Sequence, residues 1–503
     1  MFFLVKPKNR YLEIFAEGRS EGIITFPTYV PGSYVIRDLE RHIVEIDGER
    51  LTKNKFRVKK RFRYLIYTAS KDQREAISTN DYLFINPPAV FPFMDVYEEY
   101  CVKIDTQWRI MTSLRRVEDP QRGEVYCADN YHEFADSPIE ASPFLREIQI
   151  DETHSISTID DIDVEMLKKI VEEADKIIQP PKDRKYIFHF RRSDKNFGGI
   201  EHRYSSAIVV NWSRKDLATL FAHEYFHRLN VKELVPKDLK HNYENEVYTD
   251  LLWFAEGFTD YMALLITLRA KLIKPEEGLK TVLSALHDLT FPGAKRTSLA
   301  EASRIAWIKL YKRDENFLNS SVSYYEGGLA LAFYLDSKLI RHGRRIDDVF
   351  SSLRNIKEYT FEDLDKIAKS LGFHELDLAY KPSYEIFKAI KDDLGIEVTD
   401  EGKPYYGLII EGNTVKFIED GSPADIAGLM PEDQIVAVDG VNRSLEVRDS
   451  VTLEIIREGR LKMIKLTAGK SPGHSLKVKI EGEIAEKVFG KSSVEGKYNT
   501  NVI

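Results

Sequence analysis

Five residues, His223-Glu224-Tyr225-Phe226-His227, constrain this chain more than any other stretch, because their chemistry is useful only on a helix. At helical pitch the two histidines stand one turn apart on one face. Their ring nitrogens can then meet at a single tetrahedral ion, with Glu224 beside the water that completes its coordination. The surroundings agree: Ser213-Arg214-Lys215-Asp216 reads as a capping box, and Leu217, Leu220, Phe221 and Leu229 follow at core-facing spacings. Two satisfied histidines on an ordinary buried helix are the bland alternative, and a third ligand is what separates the two readings.

A second apolar-periodic segment, about residues 249–269, carries Trp253-Phe254-Ala255-Glu256-Gly257-Phe258-Thr259-Asp260-Tyr261. Two neutral imidazoles at zinc favour a carboxylate as third protein ligand, with the fourth position open for water, and Glu256 supplies that carboxylate. Asp260, one turn further on the same face, is placed to accept a hydrogen bond from the distal nitrogen of His223 and hold its tautomer. A lone Glu-x-x-x-Asp pair ordinarily marks a solvated helix face. This one sits in an apolar segment, where burial without a partner is costly.

Together the two segments resemble the gluzincins, metallopeptidases whose third ligand is a glutamate on a later helix. Trp-x-x-Glu-Gly-Phe is similar to the aminopeptidase N pattern, although Ala255 stands where that family usually has asparagine and the gap from His227 to Glu256 is long for it. Three other stretches resemble the glycyl aminopeptidase family, gluzincins that end in a PDZ domain. They are Pro31-Gly32-Ser33-Tyr34-Val35-Ile36-Arg37-Asp38, Asp136-Ser137-Pro138-Ile139-Glu140 and Asn196-Phe197-Gly198-Gly199-Ile200-Glu201-His202-Arg203. The resemblance covers about residues 27–469. It implies a zinc aminopeptidase with an N-terminal β domain, a thermolysin-like catalytic domain and a PDZ domain.

Roles follow for individual residues. Glu224, next to a ligand but outside the coordination sphere, is the general base. Ser321-Val322-Ser323-Tyr324-Tyr325-Glu326-Gly327-Gly328 resembles the Tyr-Glu-Lys-Gly segment that carries an oxyanion-stabilising tyrosine in aminopeptidase N relatives. Tyr325 is that candidate, Gly327 replaces the lysine, and Tyr324 is the competitor. Gly198-Gly199-Ile200-Glu201-His202 lines up with the Gly-Ala-Met-Glu-Asn segment of the same relatives. Glu201 is therefore read as the anchor of a substrate α-ammonium, with Gly198 and Gly199 admitting the substrate backbone to a strand edge.

With 503 residues the chain exceeds a single core. It is expected to be multidomain α+β: an all-β domain over 1–153, a thermolysin-like, mainly helical peptidase domain over 154–397, a PDZ domain over 398–470 and a tail of unknown structure over 471–503. The helical pattern Val164, Leu167, Ile170, Val171, Ala174, Ile177 opens the peptidase domain. Gly421-Ser422-Pro423-Ala424-Asp425-Ile426-Ala427-Gly428-Leu429 with Asp433-Gln434-Ile435-Val436-Ala437-Val438-Asp439-Gly440 is similar to the signature of bacterial-type PDZ domains. A peptide or C-terminus should add as a strand beside Tyr406-Gly407-Leu408-Ile409.

Only Cys101 and Cys127 are present, which argues for a reducing, cytoplasmic setting and leaves one bridge open. A net charge of -8 gives no electrostatic reason to expect nucleic acid or an anionic membrane, and no apolar run approaches a membrane span. The expected cofactor is Zn2+ and the expected partners are peptides with a free N-terminus. Two alternatives remain: an endopeptidase with an open cleft, in which Glu201 is structural, and a non-catalytic PDZ scaffold around a structural zinc.

Overall fold

The computed structural model describes residues 1–214 and 217–503, and the chain divides into two compact units, Met1–Val247 and Tyr248–Ile503. Lys215 and Asp216, half of the expected capping box, lie outside the described residues. A β-rich N-terminal part is followed by a largely helical one, the α+β order anticipated.

In the first unit, alternation of apolar and polar residues drives sheet formation. Along Tyr11–Glu17 only Leu12, Ile14 and Ala16 are buried. That strand lies between Phe2–Lys8 and Arg61–Tyr67 in a seven-stranded sheet. Tyr100–Ile104 and Gly123–Ala128 pair antiparallel in the same sheet, which makes Cys101 and Cys127 register partners, and a disulfide joins them. A short α-helix, Tyr131–Ala135, capped by the Asn130 side chain, and the 3-10 turns Leu39–His42 and Pro87–Ala89 interrupt the region expected to be all-β.

A second sheet of this unit positions site residues. Its five strands run in the order Arg146–Gln149, His154–Thr158, Tyr186–Ser193, Ser205–Asn211 and Gly198–Glu201. The middle three are parallel, and Gly198–Glu201 closes the edge antiparallel, with Gly199 opposite Ile208. Helix α1 (Val164–Ile178), N-capped by Asp163, buries Met166, Leu167, Ile170, Val171, Ala174 and Ile178, so its stripe ends on Ile178 rather than Ile177. Helix α2 (Ala218–Phe226) carries the histidine motif.

The second unit opens with a turn of π-helix, Trp253–Gly257, leading into α3 (Phe258–Arg269). Helices α4 (Pro275–Asp288) and α5 (Tyr324–Ile340) follow, and helix Phe361–Leu371 has the expected reciprocal capping bonds between Thr360 and Asp363. Beyond them lies a five-stranded antiparallel sheet, Leu408–Glu411, Thr414–Ile418, Gln434–Val438, Ser450–Arg457 and Arg460–Thr467, around Tyr406, Leu408, Val415, Leu453, Ile455 and Leu466. Residues 471–503 are ordered: Leu476–Glu481 and Ser493–Tyr498 form a hairpin, and Gly496 admits it to α4, where a Cβ would sit 2.9 Å from Leu279. No helix among the described residues is long and apolar enough to cross a membrane.

Candidate active site

Helix α2 is oriented by its aromatic side. Phe221 and Tyr225, four residues apart, face the sheet, with ring centroids 5.9 Å from Phe188 and 4.9 Å from Tyr186 respectively. The Tyr225 hydroxyl donates to Asp175 of α1 at 2.6 Å and lies 2.6 Å from His154 Nε2, locking the helix to both neighbours. Half a turn of helix separates that face from His223 and His227.

The two histidines converge. Their Nε2 atoms lie 2.8 Å apart with the rings at 88°. His227 Nδ1 is 2.8 Å from the carbonyl oxygen of Asn230, a contact that requires the proton on Nδ1 and leaves the Nε2 lone pair directed at His223. A lone pair on His227 directed at a second imidazole nitrogen 2.8 Å away suits a shared cation. His227 itself stands just past the last residue of α2, in helical conformation.

Glu224 lies between these histidines in sequence and is buried. Its carboxylate rests on the edge strand: a Cβ at Gly199 would stand 2.2 Å from Glu224 Oε1. The Gly199 carbonyl accepts from Gln73 at 3.2 Å and Arg74 at 3.1 Å, two residues that the sequence pattern did not single out. Gly198 has φ +141°, a conformation that favours glycine.

Glu201, at the end of that strand, is also buried, and the Pro31-Gly32-Ser33 stretch meets it: Gly32 has φ +89°, and a Cβ there would lie 2.7 Å from Glu201 Oε1. Lys232 Nζ is 4.0 Å from Glu201 and 2.9 Å from Asp136, which also accepts from the Arg203 amide at 2.8 Å and lies 3.1 Å from His202 Nδ1. Burial opposes the Lys232 charge, but Asp136, Glu201 and Glu224 outweigh it and raise its pKa. Burial likewise opposes ionisation of Asp136, yet Lys232 and His202 hold its carboxyl well below the usual range, while burial pushes His202 down. Lys232 is the principal omission of the sequence reading, since a single lysine five residues past the motif carries no spacing signal.

In the second unit Glu256 is buried within the π-helical turn, a local widening of the helix common at functional sites. Two glycines hold that turn against α5: a Cβ on Gly257 would be 2.4 Å from Gly328 Cα, and one on Gly328 would be 2.2 Å from the Trp253 carbonyl oxygen. This contact accounts for Gly257 and Gly328, one glycine from each motif. It also brings the start of α5 to Glu256. Burial, then the Glu256 carboxylate, raise the Tyr325 phenol well above its usual pKa, and its hydroxyl lies 3.3 Å from that of Tyr311. Tyr324 stacks on Tyr325 at 4.8 Å and is fully buried. Asp260, in the first turn of α3, is partly buried. With Asp288 it helps burial to raise Glu326, next to Tyr325, to about 7.

Two histidines whose Nε2 atoms converge, with a glutamate between them in sequence lying against an edge strand, suit a metal-dependent peptide hydrolase. The model of the M61 glycyl aminopeptidase matches residues 216–331, and that of the peptidase M61 N-terminal domain matches residues 7–143, together just over half of the chain. The chain belongs to the M61 glycyl aminopeptidase family, and is a peptide hydrolase of the aminopeptidase kind. No curated protein matches the sequence. Among solved structures, an aminopeptidase N family protein from Idiomarina loihiensis is 21% identical, with a TM-score of 0.81 over 98% of this chain and 97% of the other, so the two share a fold. An M1 zinc metallopeptidase from Deinococcus radiodurans is 12% identical over 77% of this chain and 92% of its own, with a TM-score of 0.46.

Proposed function

We propose that this chain is a zinc-dependent aminopeptidase that removes small N-terminal residues, glycine or alanine, from unblocked peptides. His223, His227 and Glu256 hold the metal, and Asp260 orients His223. The observation that carries the reading is the pair of Nε2 atoms 2.8 Å apart, with the His227 tautomer set by Asn230. Zinc held by these residues would supply Lewis acidity, easing deprotonation of an attacking water and polarising the scissile carbonyl. Glu224 accepts the water proton and returns it to the departing amine. Tyr325, kept protonated by burial and by Glu256, donates to the oxyanion.

Glu201 takes the substrate ammonium. Lys232, 4.0 Å away, already faces this carboxylate, so an unpaired charge is not what assigns the role. Charge counting supports the role instead: Asp136 and Glu201 face one lysine, so one negative charge is left for a substrate ammonium. A structural role beside Lys232 is the second reading. Glu201→Ala should lower kcat/KM for free-amine peptides by about 2 to 4 kcal/mol with metal content unchanged. If only thermal stability falls while kcat/KM holds, Glu201 is structural. Chelation should abolish hydrolysis and zinc restore it. Equal cleavage of N-acetylated and free peptides would reject the exopeptidase reading.

The domain boundaries at 153, 397 and 470 and a PDZ character of residues 398–470 belong to the same proposal. Between Tyr406 and Thr467 the only described helix is the short turn Pro423–Ile426, which follows the Ser422 cap in the Gly-Ser-Pro-Ala signature. The Cys101–Cys127 bridge fits an oxidising compartment better than the cytoplasmic setting expected from the small cysteine count.

A further inference from the structure

Phe197 and Trp212 are exposed aromatic side chains at one end of the five-stranded sheet of the first unit. Phe197 immediately precedes the edge strand Gly198–Glu201, and Trp212 immediately follows Ser205–Asn211, the strand that pairs with it. In the next strand Arg192 is the register partner of Val210, so it reaches the same end. Each exposed ring carries a guanidinium: Arg214 lies 4.3 Å from the Phe197 centroid and Arg192 5.8 Å from that of Trp212. Arg192 also donates to the carbonyls of Asn211 at 3.2 Å and Arg214 at 2.9 Å, bonds that fix its position without cancelling its charge. Lys195 is exposed two residues before Phe197. Of the nearby carboxylates, Asp194 is taken by Lys71 at 2.6 Å and Asp160 by the Arg192 amide at 2.6 Å. The end of the sheet is thus an aromatic shelf with a positive charge.

The order of groups along the edge strand fixes which part of a substrate passes this shelf. In the aminopeptidase reading the ammonium sits at Glu201, the last residue of the strand, and the base Glu224 lies against Gly199, two residues back. A peptide that lies along this edge with its amine at Glu201 therefore runs antiparallel to the strand. The bond to be cut falls near Gly199, and the leaving-group residues continue past Gly198. At about 3.4 Å per residue on both strands, about the fourth residue of the peptide comes level with Phe197, and the residues after it approach Trp212.

We propose that Phe197, Trp212, Arg192, Lys195 and Arg214 form a leaving-group subsite for a carboxylate at about the fourth residue of the substrate, either the α-carboxylate of a tetrapeptide or an acidic side chain in a longer peptide. The cations attract the carboxylate and repel a basic residue at the same place, while the rings give apolar surface to its stem. Because the shelf is exposed, its attraction is screened by salt, which a contact at the buried Glu201 is much less. The inference deepens the aminopeptidase reading and rests on it, since Glu201 and Glu224 set the direction of the peptide.

The test compares kcat/KM for release of N-terminal glycine by the zinc-loaded full chain from two pairs of peptides: Gly-Ala-Ala-Glu against Gly-Ala-Ala-Gln, both as C-terminal amides, and Gly-Ala-Ala-Ala as free acid against its amide. At low ionic strength the carboxylate member of a pair should be cleaved at least about threefold faster, and the gain should shrink as salt is added. A gain in the first pair alone assigns the subsite to an acidic side chain, and in the second alone to the chain end. Arg214→Gln should bring the gain close to one. The amide of Gly-Glu-Ala-Ala, whose carboxylate falls short of the shelf, should show no such gain over that of Gly-Gln-Ala-Ala. Equal rates within both pairs, a gain that survives Arg214→Gln, or an equal gain with the acid at the second residue would overturn the subsite and leave the aminopeptidase standing. Cleavage of none of these free-amine peptides would overturn the aminopeptidase reading and the subsite with it. If Arg214→Gln fails to fold by circular dichroism, Lys195→Gln carries the same comparison.

Discussion

The two segments that carry the proposed metal ligands are held in opposite ways. Helix α2 is fixed through side chains: Phe221 and Tyr225 pack on the strand Tyr186–Ser193, and the Tyr225 hydroxyl joins His154 and Asp175. The π-helical turn with Glu256 is fixed through backbone, glycine against glycine, with no room for a single methyl. Side-chain packing can give way by changing rotamers, whereas backbone contact moves only with the whole helix. The first arrangement therefore bends under substitution, and the second should fail outright.

The largest expected effect separates base from ligand. Glu224→Gln on α2 should keep its metal and lose about 10²- to 10⁴-fold in kcat. Glu256→Gln in the π-turn should instead lose metal, read by atomic absorption of the purified protein. A Glu224→Gln variant with normal turnover would end the assignment of the base.

Two glycines sharpen the contrast next. Gly328→Ala pushes a methyl into the Trp253 carbonyl and should cost about 3 kcal/mol or more in stability. Gly199→Ala places its new methyl nearest the atoms of the Glu224 side chain, not backbone. It should leave the melting temperature nearly unchanged while reducing kcat. Comparable losses of stability in the two variants would erase the distinction.

A smaller effect concerns Glu326 in the first turn of α5, whose carboxyl is raised from 4.5 to about 7 by burial and by Asp288 and Asp260. A raised carboxyl pKa means the folded state holds its proton more tightly. Its contribution is complete below about pH 4.5 and is lost as the pH rises through about 7, at most about 3 kcal/mol in all. Glu326→Gln should remove this slope, making the variant the more stable protein at pH 8 and not at pH 4.5. Parallel stability curves for the two proteins would refute the shift.

The smallest change tests the side-chain mode. Tyr225→Phe keeps the ring on the sheet but strips the hydroxyl from His154 and Asp175, and should cost about 1 to 3 kcal/mol. Metal content should hold. Loss of metal in this variant would show that α2 is as rigidly coupled to its surroundings as the π-turn.

What the sequence determined by itself is what short-range geometry determines. Helical pitch alone sets His223 and His227 to meet, and a period of two alone marks the buried side of Tyr11–Glu17. Thr360 and Asp363 announce their cap because the bonds span three residues. The tertiary structure decided everything that depends on residues far apart in the chain. Lys232 reaches Glu201 and Asp136, Gly32 opens space for Glu201, and Gly257 meets Gly328, each across an interval with no periodic signature. The same holds for Cys101 and Cys127, whose bond follows from strand register. Periodicity records which face of an element is buried. Which residue of a distant element lies against that face is set only when the chain packs.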